Sequence, residues 1–386
     1  MASTRTRDVF LTCIGFAAWL LYTLACASFS PDDSKILFPS NEAKTGTPSV
    51  AVYDRATRTT RTVYAFHSPE LRSSDGQAWM RSVWTPDGKR IVTMWPVDKD
   101  MMLLVLPFGG SGTTRFMLIK ATHADMPSVF AAPPPIVGSS LLLGSDDGIV
   151  RVDLETGEQQ TVEATGSPML SAGPGRAFYL RKAKVPGSES EQAEVGTVDP
   201  KTLALTPLFQ SKEAAGDEVF AISGDGSRAA LTNASRAQVL LFVNGQLRRT
   251  VPIANDGGMM LGAMQWSPNG ATLYAVFRRT TAESTHQFGV MEIPAETGAP
   301  REVPLFVVHG RLEDGEVLTF QLDVSHDGKT LAAASTYLQT PPGKEGPPRL
   351  RPEDLALYLI DVSRPDRKVT KVPIPPLPLP PPAPVK

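Results

Sequence analysis

Cysteine is nearly absent from this chain of 386 residues, which contains only 2. Both of them, Cys13 and Cys26, lie in an apolar N-terminal stretch, and no cysteine follows residue 26. A disulfide framework, a thiolate nucleophile and a cysteine-ligated zinc site are therefore excluded for the remainder of the sequence. With 41% hydrophobic residues, a chain of this length can bury a large core without such crosslinks.

Recognisable catalytic motifs are also missing. The sequence has no phosphate-binding P-loop, no dinucleotide fingerprint, no nucleophile elbow and no zinc-protease motif. Histidine is scarce, and none of the five stands at metal-ligand spacing from another: His67, His123, His286, His309 and His326. We therefore expect no catalytic residue, no metal site and no cofactor.

Charge of one sign does not dominate the chain. Lys and Arg number 38 against 40 Asp and Glu, so the formal net charge is only -2. Because no global field would attract a polyanion, we expect no nucleic-acid partner. Two basic pairs, Arg248-Arg249 and Arg278-Arg279, are interpreted as solvated strand edges that discourage aggregation.

Proline and glycine are plentiful and mark a repeated turn. A Ser/Thr-Pro-Asp-Gly-like motif follows an apolar residue and precedes a β-rich run, most clearly after Phe29, Trp84 and Trp266, and more weakly at Ser223, Ser325 and Ala172. In such a turn Pro presets the first residue, Asp or Asn bonds back to the backbone, and Gly accepts a positive φ. The predicted structural residues of these turns are Pro31, Asp32, Pro86, Asp87, Gly88, Gly226, Pro268, Gly270, Asp327 and Gly328.

A second pattern, an alternating outer hairpin, follows each turn after a gap. Its seven copies begin near Val52, Met101, Val150, Val195, Leu240, Val290 and Leu357. Most intervals are close to the roughly 40 to 50 residues of a four-stranded propeller blade. The sequence therefore predicts an all-β fold over residues 28–375: a seven-bladed β-propeller of four-stranded antiparallel blades. A β-sandwich or two small β domains would explain the alternation, but not a repeat sustained along the chain.

These turn motifs resemble the propeller repeats of the periplasmic TolB-type and WD-like β-propeller families. The resemblance concerns the fold, since such propellers include binding modules, scaffolds and a few enzymes. Trp84 and Trp266 occupy the same position in their repeats and are expected to pack between blades. The third repeat departs from the pattern, because only Ile136-Val137-Gly138-Ser139 stands at its turn. The inner strand of the first repeat would overlap the N-terminal apolar run.

That apolar run, Val9–Ala27, carries no charge and follows Arg5 and Arg7 within residues 1–8. As a helix it would reach roughly 28 Å at about 1.5 Å per residue, close to the hydrocarbon thickness of a bilayer. The basic flank predicts a cytoplasmic N-terminus, a transmembrane anchor over 9–27 and a periplasmic propeller at a bacterial inner membrane. Cleavage after Ala27, or lipidation of Cys26, would instead give a secreted protein or a lipoprotein.

The function predicted first is that of a non-catalytic scaffold or accessory subunit of a larger membrane complex, such as a respiratory or photosynthetic one. Its partners would be other membrane or periplasmic proteins and the lipid bilayer, with helix contacts through Phe16, Trp19, Leu20 and Tyr22. The alternative is a freestanding TolB-like propeller that binds a peptide, lipoprotein or envelope polymer, and a minor one is a propeller hydrolase or lyase. The proline-rich stretch from Pro373 should not pair in a sheet and would form an extended tail or a docking arm. Residues 376–386 are the predicted C-terminal tail.

We expect the N-terminal segment to stay attached as an anchor. Intact-mass spectrometry of the purified protein should then give the mass of the whole chain. A mature form that begins at Ser28 would contradict the anchor and support a cleaved signal.

Overall fold

The protein is described by a computed structural model. The described residues are 22–41, 47–66, 81–97, 100–110, 112–119, 133–145, 148–164, 168–173, 175–185, 190–213, 219–232, 238–253, 259–282, 285–309, 317–335 and 354–375. Within these ranges, no helical segment has the length and hydropathy of a membrane span. Residues 1–21 lie outside them, and with them most of the predicted anchor.

The strands form seven sheets, one for each blade. After β1 (Tyr22–Cys26), blade 1 contains β2 (Ser28–Phe29), β3 (Lys35–Asn41), β4 (Pro48–Asp54) and β5 (Thr59–Ala65). Blade 2 contains β6 (Arg81–Trp84), β7 (Arg90–Val97), β8 (Asp100–Pro107) and β9 (Arg115–Ile119). Blade 3 contains β10 (Ile136–Val137), β11 (Ser140–Ser145), β12 (Gly148–Asp153) and β13 (Gln159–Glu163). Blade 4 contains β14 (Met169–Gly173), β15 (Arg176–Lys184), β16 (Glu191–Val198) and β17 (Leu205–Ser211).

The remaining blades repeat this order. Blade 5 contains β18 (Phe220–Ile222), β19 (Arg228–Thr232), β20 (Gln238–Val243) and β21 (Gln246–Pro252). Blade 6 contains β22 (Met259–Trp266), β23 (Thr272–Ala282), β24 (Thr285–Pro294) and β25 (Arg301–His309). Blade 7 contains β26 (Val317–Val324), β27 (Thr330–Ala334), β28 (Ala356–Asp361) and β29 (Val369–Pro373). The prediction of a seven-bladed propeller with four-stranded antiparallel blades is confirmed.

Burial follows the position of each strand within its blade. Second strands such as β19 and β27 are buried almost throughout, whereas outer strands such as β21 alternate between exposed and buried residues. Every junction between neighbouring blades contains a hydrophobic cluster, with residues from both blades. A blade therefore shields its two faces only against its neighbours, and the seven blades have to close into a ring.

The antiparallel order of the strands gives the ring two different faces. We call the turn face the side with the connections between first and second strands and between third and fourth strands. The loop face is the opposite side, with the connections between second and third strands and between successive blades. The strand ends that flank the three longest connections, at Ala65 and Arg81, Ile119 and Ile136, and Ala334 and Ala356, all lie on the loop face.

Five first-to-second-strand turns on the turn face share one hydrogen-bond pattern. The hydroxyl that opens each turn accepts the N–H of the residue five positions later, at 2.9 to 3.0 Å, in Ser30, Thr85, Ser223, Ser267 and Ser325. The same hydroxyl donates to the Asp or Asn two residues later, for example to Asp87 at 2.6 Å. Gly88, Gly226, Gly270 and Gly328 follow with a positive φ, and Asp33 takes this place in blade 1 with a φ of 57°. The Ser or Thr is thus as much part of the turn as the Pro, Asp and Gly.

The predicted helix over 9–27 is wrong for its last residues. Tyr22–Cys26 forms strand β1, which runs parallel to β26 with Tyr22 opposite Val317 and Cys26 opposite Gln321. The physical reason is that the inner strand of the last blade presents an unpaired edge, whose backbone N–H and C=O groups can pair with an extended segment. Tyr22 is therefore a strand residue, whereas Phe16, Trp19 and Leu20 lie outside the described residues.

The proline-rich stretch also begins later than expected. Pro373 ends strand β29 opposite Ala356, and the N–H of Ile374 donates to the carbonyl of Leu355 at 2.9 Å. Ile374 is buried in the core of blade 7, which accounts for this pairing despite its proline neighbours. Residues 376–386 lie outside the described part of the chain.

Replacing Thr85 by Val should lower the free energy of unfolding by about 1 to 3 kcal/mol, because the partly buried N–H of Arg90 loses its acceptor. Urea unfolding measures the effect. Thr57→Val is the matched control, since Thr57 lies in an exposed turn of blade 1, and should stay within about 0.5 kcal/mol of the unmodified protein. Equal effects at the two positions would contradict the role given to the turn hydroxyl.

Candidate functional site

A hydrogen-bonded polar cluster lies at the inner ends of blades 6, 7 and 1. Asp323 on β26 accepts the backbone N–H of Phe29 at 2.7 Å, the side-chain amide of Gln265 at 2.9 Å and the N–H of Val324 at 2.8 Å. Phe29 belongs to blade 1 and Gln265 to blade 6. One carboxylate therefore connects three blades beside the axis of the ring.

The surroundings of Asp323 oppose its ionisation. Burial raises the pKa of this carboxyl, although the hydrogen bonds from Phe29, Gln265 and Val324 act in the opposite direction. Both carboxylate oxygens are already engaged, Oδ2 by Phe29 and Oδ1 by Gln265 and Val324. The arrangement is that of an internal tie between blades and not of a general base waiting for substrate.

A second polar contact joins blades 7 and 1 on the turn face. Asp33 accepts the backbone N–H of His326 at 2.9 Å, the N–H of Asp327 at 3.1 Å and a hydrogen bond with Nδ1 of His326 at 2.7 Å. Asp33 stands where the corresponding turns have glycine, and His326 stands where Pro31, Pro86 and Pro268 occur. The junction that closes the ring thus has an Asp–His contact in place of Gly–Pro packing such as that of Gly88 against Pro31.

The two repeat tryptophans make equivalent contacts. Nε1 of Trp84 in blade 2 donates to the carbonyl of Ser28 in blade 1 at 3.1 Å. Nε1 of Trp266 in blade 6 donates to the carbonyl of Ala221 in blade 5 at 3.3 Å. Both rings are nearly buried, so the expectation that they pack between blades agrees with their observed place.

Arginine side chains cross every blade junction. Arg55 reaches Thr330, Arg61 covers the ring of Phe108, Arg90 reaches Glu155, Arg151 reaches Lys201, Arg176 reaches Asp225, Arg249 reaches Pro294 and Arg367 reaches Glu292. Three of the four arginines expected to be solvated edges therefore have structural partners, since Arg278 contacts Sδ of Met260 and Arg279 pairs with Glu302 through two hydrogen bonds. Sequence spacing alone cannot show these contacts, because each joins residues of different strands.

Blade 4 contains a buried carboxylate as well. Glu194 accepts hydrogen bonds from Tyr179 at 2.9 Å, Arg181 at 2.7 Å and Gln210 at 2.6 Å. Burial alone would raise the pKa of Glu194, but the hydrogen bonds from Gln210, Tyr179 and Arg181 outweigh it and the pKa is lowered. Burial and the nearby Glu194 raise the pKa of Tyr179. The phenol therefore stays protonated and the cluster behaves as a satisfied internal network.

The predicted turn residues lie in the turns of the turn face, some with distinct contacts. Hydrogen bonds from Ser30 and Ser34 lower the pKa of Asp32 to about 2, and those of Thr85 and Lys89 lower that of Asp87. The ideal Cβ position of Gly328 lies 3.4 Å from Pro268, so these two predicted residues contact each other across the junction of blades 6 and 7. Among the described residues, no group of three or more His, Cys, Asp or Glu is arranged to hold a metal ion.

Comparison with known proteins bears on the fold. No protein-family model and no curated protein sequence matches the chain. KlAtg21, in its complex with the coiled-coil of AgAtg16, is 12% identical with a TM-score of 0.55, covering 91% of this chain and 98% of its own. A candidate 6-phosphogluconolactonase from Bacteroides fragilis is 14% identical with a TM-score of 0.50, covering 89% of this chain and 96% of its own.

TolB from Acinetobacter baumannii is 16% identical with a TM-score of 0.42, covering 70% of this chain. The match spans 66% of TolB, slightly less than two thirds of that protein. At such identities a likeness shows the fold alone. The chain is a β-propeller, and the predicted resemblance to propeller-repeat proteins is confirmed at the level of the fold alone.

Replacing Asp33 by Gly should lower the free energy of unfolding by about 1 to 3 kcal/mol, because blade 7 loses a charged acceptor. Glycine suits the positive φ of this position, so the predicted loss comes in spite of relieved backbone strain. Arg58→Gly is the matched control, since Arg58 is exposed with a φ of 58°. Urea unfolding should show it within about 0.5 kcal/mol of the unmodified protein; a similar loss at both positions would contradict the closure contact.

The pKa of Asp323 predicts a pH dependence of stability. Because the folded pKa is raised above an unfolded value of about 3.9, the stabilising contribution of Asp323 is present below that pH and declines as the pH rises through the folded pKa. Unfolding in urea between pH 4 and pH 8 should therefore show the stability of the unmodified protein falling relative to Asp323→Asn.

The control is Asp225→Asn, since Asn269 already fills the corresponding place in blade 6. The hydrogen bond from Ser223 lowers the pKa of Asp225 to about 2. The difference in unfolding free energy between the unmodified protein and Asp225→Asn should therefore change only as the pH falls below the pKa of an aspartate in the unfolded chain. A difference in unfolding free energy between the unmodified protein and Asp323→Asn that stays constant from pH 4 to pH 8 would refute the raised pKa of Asp323.

Proposed function

We propose that this chain is a non-catalytic, membrane-anchored propeller that serves as a scaffold or accessory subunit of a larger membrane complex. It would lie on the periplasmic side of a bacterial inner membrane. The observation that carries the proposal is strand β1, whose residues Tyr22–Cys26 pair with Val317–Gln321 of the last blade. Cleavage after Ala27 would remove this strand, so its place in the ring supports a segment that is retained.

The polar clusters give further support for a non-catalytic function. Asp323, Asp33 and Glu194 use their carboxylates to join strands or blades. A propeller hydrolase or lyase would need a carboxylate or histidine that can reach substrate. These three side chains are already committed to the ring and do not favour that function.

One observation favours a second candidate, a freestanding TolB-like propeller that binds a peptide, lipoprotein or envelope polymer. Because β1 begins at Tyr22, the uncharged stretch that remains in front of it is 9–21. As a helix this stretch would reach only roughly 20 Å, less than the about 30 Å of bilayer hydrocarbon. An anchor would have to include Arg5 and Arg7, with their charged ends extended to the head groups.

The scaffold function predicts co-purification with other membrane proteins in mild detergent. Size-exclusion chromatography with mass spectrometry should place the chain in an assembly of several different proteins, because its helix and its ring both contact partners. A monodisperse monomer under these conditions would count against the scaffold.

A control chain separates the two candidates. Residues 1–21 are replaced by an unrelated cleavable signal, so that the propeller is exported with β1 but without the segment that precedes it. The scaffold function predicts loss of assembly, whereas the freestanding function predicts unchanged capture of its periplasmic ligand.

A further inference from the structure

The direction of the first strands determines on which face the N-terminal segment enters the ring. Strand β2 leads directly into the turn at Ser30, on the turn face. Strand β1 is parallel to β26, which leads into the equivalent turn at Ser325. Both β1 and β2 therefore run towards the turn face, and Tyr22 lies at the loop-face end of β1.

The strand order determines how far from the axis the chain enters. In blade 7, β1 pairs with β26 on the edge opposite β27. The inner strands of the blades surround the axis, so this edge faces the centre of the ring. The N-terminal segment thus reaches the ring from the loop face, close to its centre.

The other end of the described chain lies on the same face. Strand β29 is antiparallel to β28, which runs towards the turn face, so β29 runs towards the loop face. Ile374 still pairs with Leu355 beyond Pro373, which carries the chain to the loop-face end of the rim. Both ends of the described chain are therefore at the loop face.

We propose that the loop face is turned towards the phospholipid bilayer and the turn face away from it. This inference rests on the membrane anchoring proposed above. The part of the uncharged stretch that precedes β1 is 9–21, and it ends directly before the strand, so no spacer lies between the two. A strand such as β23 spans roughly 35 Å at about 3.3 Å per residue, so to reach the bilayer from the turn face the chain would need about ten extended residues that are not there.

The contacts of the turn face agree with this orientation. Aspartates of the turn face such as Asp87 bond within their own turns, in this case to Thr85 and Lys89. Arginines such as Arg90 and Arg151 extend from one blade to the outer turn of the next. These charged groups hold the ring together on the side away from the bilayer.

Two pairs of single-cysteine variants test the orientation in the full-length chain, in which Cys13 and Cys26 are replaced by Ser. Ala271 and Ala282 are exposed at opposite ends of β23, Ala271 on the turn face and Ala282 on the loop face. Lys89 and Lys184 form a second exposed pair on blades 2 and 4, with Lys89 on the turn face. Each cysteine carries a fluorescent donor, and the protein is reconstituted in phosphatidylethanolamine–phosphatidylglycerol vesicles with acceptor-labelled head groups.

Energy transfer to the lipid acceptors should be at least about twofold more efficient from Ala282→Cys than from Ala271→Cys, because the two sites differ by roughly 35 Å in height. Lys184→Cys should likewise exceed Lys89→Cys. Equal efficiencies, or a reversed order, in chains that float with the vesicles would overturn the orientation and leave the anchor standing. A chain that does not float would overturn the proposed anchoring and the orientation with it.

Discussion

The structure depends on the junction at which the seventh blade meets the first. Six junctions join blades that follow each other in sequence, but the seventh joins residues as far apart as Phe29 and Asp323. Closing a loop of this length costs about 5 kcal/mol of chain entropy. Asp33 provides hydrogen bonds with a charged acceptor at this junction, each worth about 1.5 to 3 kcal/mol, Asp323 accepts further hydrogen bonds, and Arg55 adds its bond to Thr330. Together with the shared hydrophobic cluster, these contacts can outweigh the entropy of closure.

Closure between two blades that each supply their own four strands explains the unusual residues at this junction. Blade 1 is built wholly from the N-terminal side of the chain and blade 7 wholly from its C-terminal side, and only β1 crosses between them. Many of the other junctions can rely on a repeated set of contacts, such as Gly with Pro or Trp with a carbonyl. The closing junction instead has Asp33 with a positive φ, which is tolerated because its carboxylate binds the turn of blade 7.

The fold could be predicted from the sequence because its signals are local and repeated. The turn at Pro86-Asp87-Gly88 and the outer hairpin near Met101 each lie within one short segment, and the same physics recurs in the other blades. The closing contacts could not be predicted, since Asp33 reads as an ordinary turn residue until blade 7 is beside it. The role of Thr85 was not predicted for another reason: the sequence does not show that the hydroxyl at the start of the turn accepts the N–H of Arg90. The helix was extended too far because apolar sequence alone does not distinguish a membrane span from an inner strand.

Under the proposed anchoring, a membrane helix would be the alternative to strand β1 for Tyr22–Cys26. Five residue pairs contribute a few kcal/mol at about 0.5 to 1.5 kcal/mol for each backbone hydrogen bond. Insertion of the same residues into lipid would contribute less, because Leu24 alone among them is strongly apolar, at about 0.3 to 0.6 kcal/mol. The strand is therefore the favoured state, and a proposed anchor of 9–21, roughly 10 Å shorter than the hydrocarbon layer, would have to thin the bilayer around it. With β1 in place, such an anchor would leave no slack between ring and lipid, so tension on it would be transmitted directly to blade 7 and to the closing junction.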